Sequence, residues 1–99
     1  MIMHFEWDEN KNRQNKNKHD VSFEEAEEVF DDPFHIAVMD KRFDYFEERW
    51  ITIGFTKSKR ILVIGHLYYL KEDGEEVIRI VTARRATKKE REQYENINN

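Results

Sequence analysis

Glu75–Asn96 reads EEVIRIVTARRATKKEREQYEN, a stretch whose pattern predicts a strand, a turn and a final helix. Val77 to Ala83 alternates, with Ile78, Ile80 and Thr82 pointing one way and Val77, Arg79, Val81 and Ala83 the other, which is the period of a pleated strand. Thr87-Lys88-Lys89-Glu90 is a capping box, in which the Thr hydroxyl and the Glu carboxylate each satisfy an orphan backbone donor, so a helix should start after Thr87. Arg84 and Arg85 then fall at the strand-to-helix corner. With Arg79 they set three guanidiniums on rigid elements, and Tyr94 follows a helix turn or more further on. Arginines held in this way grip a phosphate better than arginines on a loose tail.

Upstream, Arg60 to Leu70 is apolar almost throughout, as a central strand covered on both faces would be. Glu72-Asp73-Gly74-Glu75 carries the Asp-Gly turn signal that joins it to the arginine strand. Arg49 to Phe55 alternates Ile51, Ile53 and Phe55 with Trp50, Thr52 and Gly54, and Lys57-Ser58-Lys59 links it to the central strand, so three strands form an antiparallel meander. Phe34 to Asp40 reads as a further strand and Lys41 to Glu47 as the loop after it. Before Pro33, Phe23, Ala26, Val29 and Phe30 recur at helical spacing, with Ser22 and Glu25 as a capping box and Val21 stapling onto Ala26. The first helix, from an Asp8 cap to about Lys18, is unusual. Asp8 to Asp20 holds no aliphatic residue and no Phe, Trp or Tyr, so this helix must be held by its ends or by polar contacts. Asp20 stands where a helix end often requires a left-handed backbone, which Asp tolerates less well than Gly. Ile2 to Trp7 suits an edge strand, and Asn96 to Asn99 a frayed end. The expected fold is a single α+β domain over residues 1–99, with a twisted antiparallel sheet of four or five strands, two helices before it and one after.

Ninety-nine residues suffice for one core. The apolar stretch Ile61 to Leu70 is too short to span a bilayer and is interrupted by Gly65 and His66, and Met1 to Asp8 lacks the basic start and apolar run of a secretion signal. The absence of cysteine excludes disulfides, thiolate zinc sites and cysteine nucleophiles. A cytoplasmic protein with no membrane partner is the expectation. The net charge of −4 hides a split: residues 1–48 hold 6 Lys and Arg against 14 Asp and Glu, and residues 49–99 hold 11 against 7. Such asymmetry suits a protein with one basic working face, and equally an uneven solvated surface. His4, His19, His35 and His66 have no metal-ligand spacing, the aspartates form no calcium loop, and neither a glycine-rich phosphate loop nor a nucleophile elbow exists.

Phe5-Glu6-Trp7-Asp8, Lys11-Asn12, Asn15, Lys18-His19, Val21-Ser22-Phe23-Glu24-Glu25-Ala26, Val29-Phe30 and Asp32-Pro33 resemble, in order, the BrnT family. Glu48 to Gly54, Ile78 to Thr87, Glu90-Arg91 and Tyr94-Glu95 continue the resemblance over nearly the whole chain. Asp20 departs from it where the family commonly has Gly, as does Leu67 where a Thr is more usual. The resemblance implies a RelE-like fold and a small type II toxin, a ribonuclease that blocks translation and is neutralised by a BrnA-type ribbon-helix-helix antitoxin. A homodimer or a higher complex with that antitoxin would then touch DNA only through the antitoxin.

A ribonuclease of this kind needs no metal or cofactor if its side chains activate the ribose 2′-hydroxyl, stabilise the charged phosphorane and protonate the leaving oxygen. The catalytic candidates are Arg79, Arg84, Arg85, Trp50, His66 and Tyr94, with Arg49, Lys88 and Lys89 as RNA contacts. Each has a plainer alternative. Arg79 also reads as an ordinary exposed strand residue, and Arg84 and Arg85 as surface partners of Glu90 or of the acidic second helix. Trp50, on the face of small Thr52 and Gly54, has room to stack a base or can be core. His66 can act near neutral pH or sit buried with a hydrogen-bond partner, and Tyr94 can donate a proton or pack. An RNA- or ribosome-binding module that does not cut, and a homologue acting only as partner of a DNA-binding antitoxin, are the alternative functions.

Overall fold

Gly74, at φ 89°, makes the Asp-Gly turn that folds β5 (Glu76–Arg85) antiparallel onto β4 (Ile61–Leu70). β4 pairs in turn with β3 (Arg49–Phe55), and β3 with β2 (Ile36–Met39), completing the meander. These relations come from a computed structural model that describes residues 3–42 and 48–98. Most of the loop read at Lys41–Glu47 lies outside the described residues. β2 begins later than Phe34 because Asp32 Oδ1 accepts the Phe34 amide at 2.9 Å, which keeps Pro33 and Phe34 in a turn.

The edge strand β1 (Met3–Glu6) lies beside β5, in the order β1-β5-β4-β3-β2. It runs parallel to β5, with Glu6 opposite Arg79, so the sheet is mixed and not antiparallel throughout. Hairpin signals report only strands adjacent in sequence. The partner of β1 is reached through the helices and the whole meander, the long crossover that parallel strands need.

A second correction concerns the faces of β5. The register slips between Gly65 and His66: Gly65 faces Thr82, His66 faces Ile80, and Val81 is left over. This bulge puts Ile78, Ile80 and Ala83 on one face and Arg79, Thr82 and Arg84 on the other, whereas unbroken alternation had put Ala83 with Arg79. A Cβ on Gly65 would lie 2.5 Å from Thr82 Oγ1, so any larger residue there has to displace the Thr82 hydroxyl.

The helices follow β1. α1 (Glu9–His19) is capped by Asp8, which accepts the Lys11 amide at 3.1 Å. Its buried side chains are two amides. Asn15 donates to the carbonyls of Ala83 (2.7 Å) and Val21 (2.8 Å) and accepts the Ala83 amide (3.2 Å), while Asn12 accepts the Phe23 amide at 2.8 Å. Asn15 thus does for β5, beyond the end of β1, what a neighbouring strand would do. The helix ends on Asp20 in the left-handed region, φ 58° and ψ 34°. α2 (Phe23–Glu27) is capped by Ser22, but the Glu25 carboxylate turns away to Arg60 Nε (2.9 Å) and Ser58 (2.6 Å), so only half of the expected capping box forms. A 3₁₀ turn, Glu28–Asp31, follows. Val21, Phe23, Ala26 and Val29 pack on Leu62, Ile64, Ile78, Ile80 and Ala83 to make the core. α3 (Lys88–Ile97) starts with both halves of its capping box in place. No helix among the described residues is long and apolar enough to cross a membrane.

Candidate functional site

The face of the sheet turned away from α1 and α2 carries the first group of candidates. The register sets Glu6, Arg79, Leu67 and Arg49 side by side on β1, β5, β4 and β3. Two strand spacings separate Arg79 from Arg49, about 10 Å. Arg79 Nη1 donates to Glu6 Oε2 at 2.7 Å, and both side chains are somewhat over a third exposed. Tyr69, on the same face, donates its hydroxyl to the other oxygen, Glu6 Oε1. The Tyr69 hydroxyl, outweighing partial burial together with Arg79 and Lys71, holds the Glu6 carboxyl below its ordinary range.

Arg84 shares this face but lies five residues along β5, about 15 Å from Arg79. It forms a fork with Glu90, at 2.7 and 2.9 Å, that ties β5 to α3. That contact lowers the Glu90 carboxyl to about 2. Arg85 points to the opposite face, where Nη2 meets Asp20 at 2.9 Å in an exposed pair. The corner therefore does not gather three guanidiniums at one point. It borders a groove of about 580 Å³ lined by Lys18, His19, Asp20, Arg84, Arg85 and Thr87, which shares Lys18 and His19 with a smaller groove along Lys11 and Val81–Thr82. Lys88 and Lys89 are exposed at the start of α3.

Trp50 and His66 sit on the helix-bearing face, with the sheet between them and Arg79. With Phe30, His35, Ala37 and Tyr68 they line an apolar cleft of about 290 Å³. The room expected at Gly54 is filled by the 3₁₀ turn: a Cβ there would lie 2.7 Å from Val29 Cγ1. His66 is buried. Its Nδ1 lies 3.3 Å from the Leu67 carbonyl, which can only accept, so Nε2 is left to accept from the Thr52 hydroxyl at 2.7 Å. Burial lowers the ring to about 4, which makes it a weak base at neutral pH.

Tyr94 is buried and donates to Asp32 Oδ2, whose carboxylate also accepts the Phe55 amide at 2.8 Å. Burial, aided by that carboxylate, pushes the phenol up to about 12. Asn98, one turn on, donates to the Phe34 carbonyl at 3.2 Å. Tyr94 thus fastens α3 to the start of β2.

Among the described residues, the sheet face turned away from α1 and α2 carries a partly exposed cluster of Glu6, Tyr69 and Arg79, and a basic groove lies at the corner of the sheet. The sequence pattern described as "Ribonuclease toxin, BrnT, of type II toxin-antitoxin system" matches residues 7–90. The chain belongs to the BrnT family. Its fold is similar to the crystal structure of the Brucella abortus ribonuclease toxin BrnT, with a TM-score of 0.60 and 22% identity over 88% of this chain and 100% of that one. No curated protein sequence matches the chain. On this BrnT fold, Glu6 and Tyr69 join Arg79 at one point, although neither stood out as a candidate in the sequence. Glu6 and Arg79 are 73 residues apart and meet only through the parallel pairing of β1 with β5, which no local signal announces.

Proposed function

We propose that this BrnT-family protein is an active toxin, a metal-independent endoribonuclease that cuts RNA in the cytoplasm and so blocks translation. The observation that carries this reading is Arg79, a partly exposed guanidinium on the sheet face turned away from α1 and α2, oriented by Glu6 at 2.7 Å. A cation fixed by a rigid strand can meet the charge that develops on a phosphorane without reorganising, which is where electrostatic catalysis gains most. Arg49 in the same row, and Lys88 and Lys89 beside the groove of Arg84 and Arg85, supply cations for the flanking phosphates. A type II toxin implies an antitoxin; here it is a BrnA-like ribbon-helix-helix protein that covers the arginine face with acidic or aromatic side chains.

Purified protein free of its partner should cleave RNA, and the antitoxin should co-purify with it and stop the cleavage. A second reading, RNA or ribosome occlusion without cutting, is favoured by the basic groove of Lys18, Arg84 and Arg85, which lies apart from Arg79. Growth arrest on induction with no cleaved RNA would select it.

A further inference from the structure

We propose that Glu6 and Tyr69 are the general base and the general acid of RNA cleavage, acting beside Arg79. This inference rests on the ribonuclease reading above and assigns the two proton-transfer roles within it. The three residues come from β1, β4 and β5, and their polar ends meet on one carboxylate: Tyr69 donates to Oε1 and Arg79 to Oε2. Tyr69 is 37% exposed, and the side chains of Arg79 and Glu6 are 37% and 38% exposed, so a phosphodiester can reach all three. A half-exposed ion pair contributes little to stability, which leaves stability a weak account of why a carboxylate, a phenol and a guanidinium converge here.

The candidates that sequence alone offered for proton transfer lie elsewhere. His66 is buried on the opposite face and bonded to Thr52, and Tyr94 is buried against Asp32. Glu6 is ionised and within reach of an incoming hydroxyl. In the reaction the Glu6 carboxylate takes the proton of the ribose 2′-hydroxyl, and the 2′-oxygen attacks phosphorus. Arg79 faces the charge that builds on the non-bridging oxygens. Tyr69 gives its proton to the 5′-oxygen as the phosphorus–5′-oxygen bond breaks, leaving a 2′,3′-cyclic phosphate and a 5′-hydroxyl. The proton on Glu6 then returns to the Tyr69 phenolate across their existing contact, which restores both groups without an outside donor.

The test compares the wild type with Glu6→Gln and Tyr69→Phe on an RNA oligonucleotide and on messenger RNA in a translating extract. The oligonucleotide is also made with sulfur in place of the bridging 5′-oxygen at the cleaved linkage. Thiolate leaves without protonation, so the sulfur substrate removes the need for the acid but not for the base. Each variant should lose about a hundredfold or more in kcat on ordinary RNA, with KM within about threefold. The sulfur substrate should bring Tyr69→Phe to within about tenfold of the wild type and leave Glu6→Gln slow. Wild-type rates in either variant, or equal rescue of both by sulfur, would overturn the assignment while leaving the ribonuclease reading standing. A wild type that cuts neither RNA would overturn the ribonuclease reading and this assignment together.

Discussion

Tyr94 and His66 owe their properties to burial more than to identity. Removing the Tyr94 hydroxyl takes one donor from Asp32, whose oxygens keep the Phe34 and Phe55 amides, so Tyr94→Phe should lower unfolding free energy by about 1 kcal/mol. Because the buried phenol is bonded to Asp32 and not to the Glu6, Tyr69 and Arg79 cluster, cleavage per folded molecule should stay at the wild-type rate; urea melts and initial rates measure the two separately. His66 gives a pH dependence of defined sign. Its ring is lowered from 6.5 to about 4 by burial, so between these values the unfolded chain binds a proton that the folded chain does not. The stabilisation is complete above pH 6.5 and is lost as pH falls toward 4, at up to about 1.4 kcal/mol per pH unit. Urea midpoints at pH 7 and pH 5 should differ clearly in the wild type and much less in His66→Gln. In the sequence, Arg79 was legible as a charged residue inside an apolar strand. The burial that disarms Tyr94 and His66 was not, because a lone polar residue reads the same whether its partner is solvent or a side chain far along the chain.

α1 and β5 show the same limit at the scale of elements. Capping residues and hairpin turns act within a few positions, so the start of α1 and of α3, the Asp-Gly turn and the β3-β4-β5 meander could be read directly. The bulge at Gly65 and Thr82 could not, since it is a relation between two strands. Nor could the role of α1, whose inward face is amide and not apolar. Asn15 bonds the amide and the carbonyl of Ala83 as well as the Val21 carbonyl. Asn15→Ala leaves those buried backbone groups unpaired and should cost about 3 kcal/mol, more than an exposed helix substitution does. Chemical denaturation gives that figure. Hydrogen exchange at Ala83 should accelerate beyond the global change, since its donor loses its partner.

For the molecule as a whole, cations from both halves of the chain gather on one sheet face and at its corner, with Glu6 and Asp20 of the acidic half among them. Arg49, Arg79 and Arg84 lie on the sheet face turned away from α1 and α2, and Lys18 and Arg85 line the groove at its corner. If three to five of these cations meet phosphates, the logarithm of RNA affinity should fall with the logarithm of salt at a slope of about −2 to −4, the single-strand value for that many contacts. A flat dependence would remove this surface from RNA binding. The measurement that bears most directly on the site is the cleavage rate of partner-free protein carrying Arg79→Ala, taken together with its melting temperature. Ile78 and Ile80 hold the strand through the core and the Arg79 side chain is somewhat over a third exposed, so loss of the side chain removes little packing and should change stability by less than about 1 kcal/mol. A charge-stabilising donor is worth about 3 kcal/mol in the transition state. The variant should melt within a few degrees of the wild type and cut RNA about a hundredfold more slowly or worse, whereas a variant that melts normally and cuts at the wild-type rate would contradict the placement of the reaction at Arg79.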